Sequence, residues 1–116
     1  MGEINEKSEV EMNVLVAFEQ SGAVRRAFRL KGHNAWSCDI MPARDNSKFH
    51  LQCDVKEVLY YQWDMMIAFP PCTYDAVSGA RWFKEPVRRR KQKQSVMLFR
   101  QLLSAPIPKK CIEHCR

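Results

Sequence analysis

A cysteine set directly behind two prolines is the most chemically pointed feature of this sequence. Cys72 stands in Phe69-Pro70-Pro71-Cys72-Thr73-Tyr74, immediately after the apolar run Trp63 to Phe69. Prolines fix φ, so the loop leaving that run is stiff, and a thiol carried on it is aimed. A thiolate is nucleophilic at neutral pH and suits attack on an electrophilic carbon. A lone cysteine is more often a small buried filler, but the Pro-Pro setting favours the catalytic reading.

Other residues with chemical potential fall at the ends of apolar runs. Phe18-Glu19-Gln20-Ser21-Gly22 follows the run Asn13 to Phe18 and precedes a helical pattern. A glycine there permits close approach of a ligand to helix N–H groups, or simply makes the turn. It is one glycine, where a phosphate-binding loop has several. Asp39 ends the next run. A carboxylate at that position is placed to accept hydrogen bonds from ribose hydroxyls, or to cap a loop. Asp54 ends a third run. Cys111, His114 and Cys115 invite a zinc reading, but no second pair of ligands accompanies them, and no metal is expected.

A basic run lies between these groups. Arg81, Lys84, Arg88, Arg89, Arg90, Lys91 and Lys93 face one acid, Glu85. Such a run is either the solvated face of a helix or a phosphate-contacting surface. The net charge of +6 leans the same way, toward a polyanionic partner.

The elements that must position these residues follow from periodicity. Asn13 to Phe18 (NVLVAF) is almost continuously apolar, as in a strand buried on both faces. Ala23 to Lys31 carries Val24, Ala27, Phe28 and Leu30 at helical spacing with arginines on the other side, and Gly32 ends it. Asn34 to Ile40, His50 to Val55 and Trp63 to Phe69 read as strands. A long helical pattern spans Val87 to Leu103, with Val96, Phe99, Leu102 and Leu103 on one side, and Lys110 to Glu113 starts one more strand. This succession predicts an open α/β sheet of mostly parallel order. In such sheets ligands bind at the carboxyl ends of the strands, where Glu19 to Gly22, Asp39, Asp54 and Pro70 to Cys72 all fall.

Length and composition set the outer bounds. One domain is expected from 116 residues, with residues 1–12 as a flexible leader and 13–116 as the folded part. A hydrophobic fraction of 46% is enough for a core. No apolar run approaches the ~20 residues of a membrane span, and the acidic start does not read as a signal peptide. The five cysteines are odd in number and irregular in spacing, which argues against a secreted disulfide framework and for a cytoplasmic protein.

Taken in order, Phe18 with Gly22, Asp39, Asp54, Pro70-Pro71-Cys72 and Ile112-Glu113 resemble the DNA cytosine-C5 methyltransferases, particularly the compact phage and prophage forms. AFPPCTYDAVSGARW (Ala68 to Trp82) and APIPKKCIE (Ala105 to Glu113) are the stretches most like that group. The resemblance implies a Rossmann-like sheet, incomplete at its C-terminal side, that binds S-adenosyl-L-methionine. It implies that Phe18, Gly22 and Pro70 line the donor site, that Asp39 holds the ribose hydroxyls and that Asp54 holds the adenine amino group. Cys72 would attack C6 of a cytosine flipped out of the duplex, and Glu113 would contact the base at N3. DNA would be the partner, with Arg81, Arg88, Arg89 and Arg90 on its phosphates. The family's later motifs do not follow Glu113, so a second chain supplying a C-terminal half is an expected partner.

Two rivals bear on this reading. Amino-methyltransferases place an acid or amide before Pro-Pro and an aromatic after it, whereas Phe69 and Cys72 stand here. A non-catalytic nucleic-acid- or protein-binding relic of the same fold is the alternative of a different class.

Overall fold

Val14, Leu15, Val16 and Ala17 are all fully buried, which requires a strand covered on both faces. That strand, β1 (Asn13–Ala17), is the middle of a five-stranded sheet in the computed structural model, which describes residues 11–70 and 96–113. The other elements are helix α1 (Ala23–Leu30), β2 (Asn34–Asp39), β3 (His50–Gln52), a 3-10 turn (Val55–Glu57), β4 (Met65–Ala68), a helix α2 described over 96–104, and β5 (Lys109–Ile112). The sheet order is β3-β2-β1-β4-β5, and every pair is parallel. Val14 sits beside Ala35 and Met65, and Ala17 beside Cys38 and Ala68. The chain is therefore a small α/β domain with an all-parallel sheet.

Alternation along β1 divides the core. Val14 and Val16 pack with Ala35 under Val24 and Phe28 of α1. Leu15 and Ala17 face the other way, into a larger cluster with Val55, Val58, Leu59, Trp63, Met66, Leu102, Ala105 and Ile107. Trp63 was expected in the fourth strand. Instead its indole donates to the Val58 carbonyl at 2.7 Å, fixing the ring under the sheet, and the strand starts two residues later. Met12, expected in the leader, packs on the α1 side, and its amide donates to His33 Nδ1 at 3.1 Å.

Two boundary differences have local causes. β1 stops at Ala17 because Phe18 takes a left-handed backbone, φ 63°. β3 stops at Gln52 because the Cys53 amide turns back to the Leu51 carbonyl while also donating to Asp39 O. Helix α1 ends as expected at Gly32, whose positive φ lets the Lys31, Gly32 and His33 amides close on Phe28 and Arg29 carbonyls.

The apolar stripes of the helices also differ from their expected positions. In α1 only Val24 and Phe28 reach the sheet; Ala27 is exposed and Leu30 is 88% exposed. The arginines expected on the solvent side split, with Arg26 outside and Arg25 inside, 1% exposed. In α2 the inward stripe is Leu98 and Leu102 continuing to Ala105, while Val96 and Leu103 lie outside. Among the described residues no helix is long and apolar enough to cross a membrane.

Candidate functional site

Because all five strands run the same way, their carboxyl ends share one edge. The chain leaves β1 to build β2 and β3 on one side, then crosses back to place β4 on the other side of β1. The β1/β4 junction is therefore the switch point at which open α/β sheets bind ligands. Phe18 to Gly22 leave β1 there, and Phe69 and Pro70 leave β4. Phe69 N donates to Ala17 O at 3.0 Å, which keeps the two exits adjacent. Asp39 ends β2, Asp54 follows β3, and Glu113 follows β5. Glu113 N donates to Ala68 O at 2.9 Å, so this exposed acid stands beside the root of the Pro-Pro-Cys segment. Cys72 itself, and Arg81, Arg88, Arg89 and Arg90, lie outside the described residues.

The turn after β1 is built around a carboxylate. The left-handed Phe18 swings the chain so that its own amide and that of Glu19 both donate to Cys38 O, at 2.7 and 3.3 Å. Glu19, 6% exposed, then accepts from Val24 N at 2.6 Å and from Arg25 N at 3.2 Å. Ser21 Oγ accepts from Ala23 N at 3.2 Å. The first free amides of α1 are thereby taken by the protein itself. A positive helix end met by a buried acid is stabilised, and it has no room for an anion.

Gly22 makes the turn into α1, one of the two uses expected of it. It caps α1 in a left-handed conformation, φ 82°, and the space a Cβ would occupy is filled from within the chain. A Cβ there would press on the Arg25 guanidinium and lie 2.7 Å from Asp45 Oδ2. The missing side chain makes room for an ion pair.

That ion pair begins a chain of polar contacts that runs inward from the surface to Arg25 and Ser37. Asp45 Oδ2 pairs with both Arg25 and Arg26, the latter at 2.7 Å. Desolvation pushes the Asp45 carboxyl upward, but the Arg26 hydrogen bond, the Ser47 amide and the two arginine charges outweigh it and hold the group below its usual range. Arg25 Nη1 donates to Ser37 Oγ at 2.7 Å, and Ser37 Oγ meets His50 Nδ1 at 2.7 Å. His50 Nε2 reaches the Met41 carbonyl at 2.9 Å. A carbonyl only accepts, so Nε2 carries a proton there, while Nδ1 and the Ser37 hydroxyl share the second hydrogen bond of the ring. Arg44 N to Gln20 O, 2.9 Å, and Gln20 Nε2 to Pro42 O, 3.2 Å, complete the clasp between the β1–α1 and β2–β3 loops.

The two strand-end aspartates each keep one oxygen free of the described residues. Asp39 Oδ1 accepts from Met41 N at 2.9 Å, and Asp54 Oδ1 from Lys56 N at 2.9 Å, which caps the 3-10 turn. Each oxygen so used orients its partner oxygen. Beneath them Cys38 and Cys53 approach to 3.9 Å between sulfurs. Burial pushes the Cys38 thiol far above its ordinary range, and the neighbouring Cys53 adds to the effect. Sequence reasoning missed the Arg25–Asp45 pair and this thiol pair. Arg25 lies three residues before Phe28, on the flank of the apolar stripe, which was the available signal for the first. The Cys-Asp dipeptide at both strand ends was the signal for the second.

Among the described residues no group of three or more His, Cys, Asp or Glu could hold a metal ion; Cys111 is among them, His114 and Cys115 are not. No protein-family model, no curated protein and no solved structure matches this chain.

Proposed function

We propose that the chain is a domain of an S-adenosylmethionine-dependent DNA methyltransferase of the cytosine-C5 type, with the donor held at the carboxyl edge between β2 and β4. The observation that carries this reading is the Glu19 carboxylate seated on the Val24 and Arg25 amides. Dinucleotide cofactors place a pyrophosphate on the helix amides after the first strand. Here an acid already occupies them, so the edge favours a cofactor without phosphate. S-adenosylmethionine has none and carries a positive sulfonium, which suits an edge lined by Glu19, Asp39 and Asp54. These residues fit the group.

Asp39 and Asp54 would bind its ribose and adenine through their unused oxygens, with Phe18 and Pro70 flanking. When bound, S-adenosylmethionine supplies an electrophilic methyl group. The protein's own chemistry would lie with Cys72, whose thiolate adds to C6 of cytosine and leaves C5 nucleophilic, and with Glu113, which would hold N3 of the base. Loss of the C5 proton to solvent would then expel the Cys72 thiolate and restore the ring. The roles of Cys72 and Glu113 rest on the family resemblance; the position of Glu113 beside the exit of β4 supports them.

Calorimetric titration of the purified chain with S-adenosylmethionine and, separately, with a nicotinamide dinucleotide tests the reading. Saturable binding of the first and none of the second is expected. The reverse preference would overturn it.

A further inference from the structure

We propose that Cys38 and Cys53 form an oxidisable dithiol, a modification site in which Cys53 is entered by a low-molecular-weight disulfide and Cys38 resolves it. Three features of the fold bring the pair together. Cys38 pairs across the sheet with Leu51, and Cys53 lies two residues beyond Leu51 on the same face. The bend at Cys53, where one amide serves both Leu51 O and Asp39 O, curls the chain back over the end of β2. Cys38 Sγ then lies 3.4 Å from the Cys53 carbonyl and 3.9 Å from Cys53 Sγ.

Their exposures assign the order of events. Cys53 is half-buried, whereas Cys38 is 0% exposed. The Cys53 thiolate attacks a disulfide RSSR, forming Cys53–S–S–R and releasing RS⁻, which takes up a proton. Cys38 then loses its proton to solvent, attacks the Cys53 sulfur and expels the second thiol. The sum is two protein thiols plus RSSR giving one protein disulfide plus two RSH. Burial keeps Cys38 protonated, so the second step is slow and accelerates with alkaline pH.

The site is not isolated. Each cysteine is followed directly by an aspartate, Asp39 or Asp54, on the carboxyl edge. A disulfide needs sulfurs about 2.05 Å apart, and closure from 3.9 Å would tie the ends of β2 and β3 covalently beside both carboxylates. The consequence for donor binding rests on the methyltransferase reading; the disulfide itself does not.

The test uses the full chain incubated with oxidised glutathione, followed by intact mass and peptide mapping. We expect a transient single glutathione adduct on Cys53, then a species lighter by two hydrogens whose linked peptides contain Cys38 and Cys53. In Cys38→Ser the adduct should persist, and in Cys53→Ser neither species should form. An adduct that still lasts at alkaline pH with Cys38 intact, or a disulfide joining other cysteines, would overturn the assignment, as would no reaction at Cys53. Titration of the reduced and oxidised chain with S-adenosylmethionine reads the coupling: affinity should fall roughly tenfold on oxidation, the cost of one disturbed charged hydrogen bond, and recover with reductant. Equal affinity in both states would refute the coupling. Absence of binding even when reduced would strike the methyltransferase reading, while the mapping would still decide the disulfide.

Discussion

The guanidinium of Arg25 and the carboxylate of Asp45 meet in the space that Gly22 leaves by having no side chain. The pair joins α1 to the β2–β3 loop, and through Ser37 and His50 it reaches β2 and β3. One helix, one loop and two strands at the carboxyl edge are therefore tied to one buried cation.

Gly22→Ala should be severely destabilising for its size. The backbone there is left-handed, which costs a non-glycine residue about 1–2 kcal/mol, and the new Cβ would also force Arg25 and Asp45 apart. A loss of at least about 2 kcal/mol in urea unfolding is expected. Gly32→Ala shares the backbone term but meets nothing within 4 Å, so the difference between the two variants isolates the ion pair.

Acid should weaken the same contact. The folded-state pKa of Asp45 is depressed, so its contribution is present above the unfolded-state value near ~3.9 and is lost as pH falls through the folded one. Urea unfolding of the parent chain and of Asp45→Asn should differ at neutral pH and converge below about pH 4. A constant gap down to acid pH would mean that the carboxylate charge does not matter.

Asp39→Ala should weaken S-adenosylmethionine binding by about 1–3 kcal/mol, the cost of hydrogen bonds to a charged group. Asp64 is the matched control. It is also an exposed strand-end acid, but it bonds Asn13 N at 2.8 Å on the amino edge, away from the proposed site. Equal effects on binding from both substitutions would point to fold damage and not to donor contact.

Cys72 is tested by trapping. With S-adenosylmethionine and an oligonucleotide carrying 5-fluorocytosine, the fluorine blocks the final elimination and leaves the protein attached to DNA. Adduct formation should vanish in Cys72→Ser and diminish in Glu113→Gln. An adduct retained in Cys72→Ser would remove the nucleophile assignment.

Much of the sheet was legible because burial on both faces writes itself as an unbroken apolar run: NVLVA and MMIA are strands close to where they were expected. The gathering of Asp39, Asp54 and the Phe18–Gly22 turn on one edge followed from parallel order alone. What periodicity did not convey was anything decided by polar pairing. Arg25 reads as a surface residue until Asp45, twenty positions away, is seen to neutralise it. Gly22 reads equally as a plain turn or as an approach for a ligand, because the sequence does not say that Glu19 fills the helix end. Leu30, by contrast, fits the apolar pattern and is exposed, because α1 is only eight residues long and Leu30 closes its last turn.

The clasp between Asn13 and Asp64 has a bearing on how the molecule comes into being. Asn13 donates to the Asp64 carboxylate, and Asp64 N donates back to the Asn13 carbonyl, across 51 positions of chain. With every strand parallel, no hairpin offers β1 a nearby neighbour, and its second flank stays bare until β4 has been made. Loop closure of that length must precede the contacts that reward it, so folding should be slow and nearly all-or-none. During synthesis the most deeply buried of the described strands would emerge before its partners and wait, exposed to aggregation, until translation has passed residue 68.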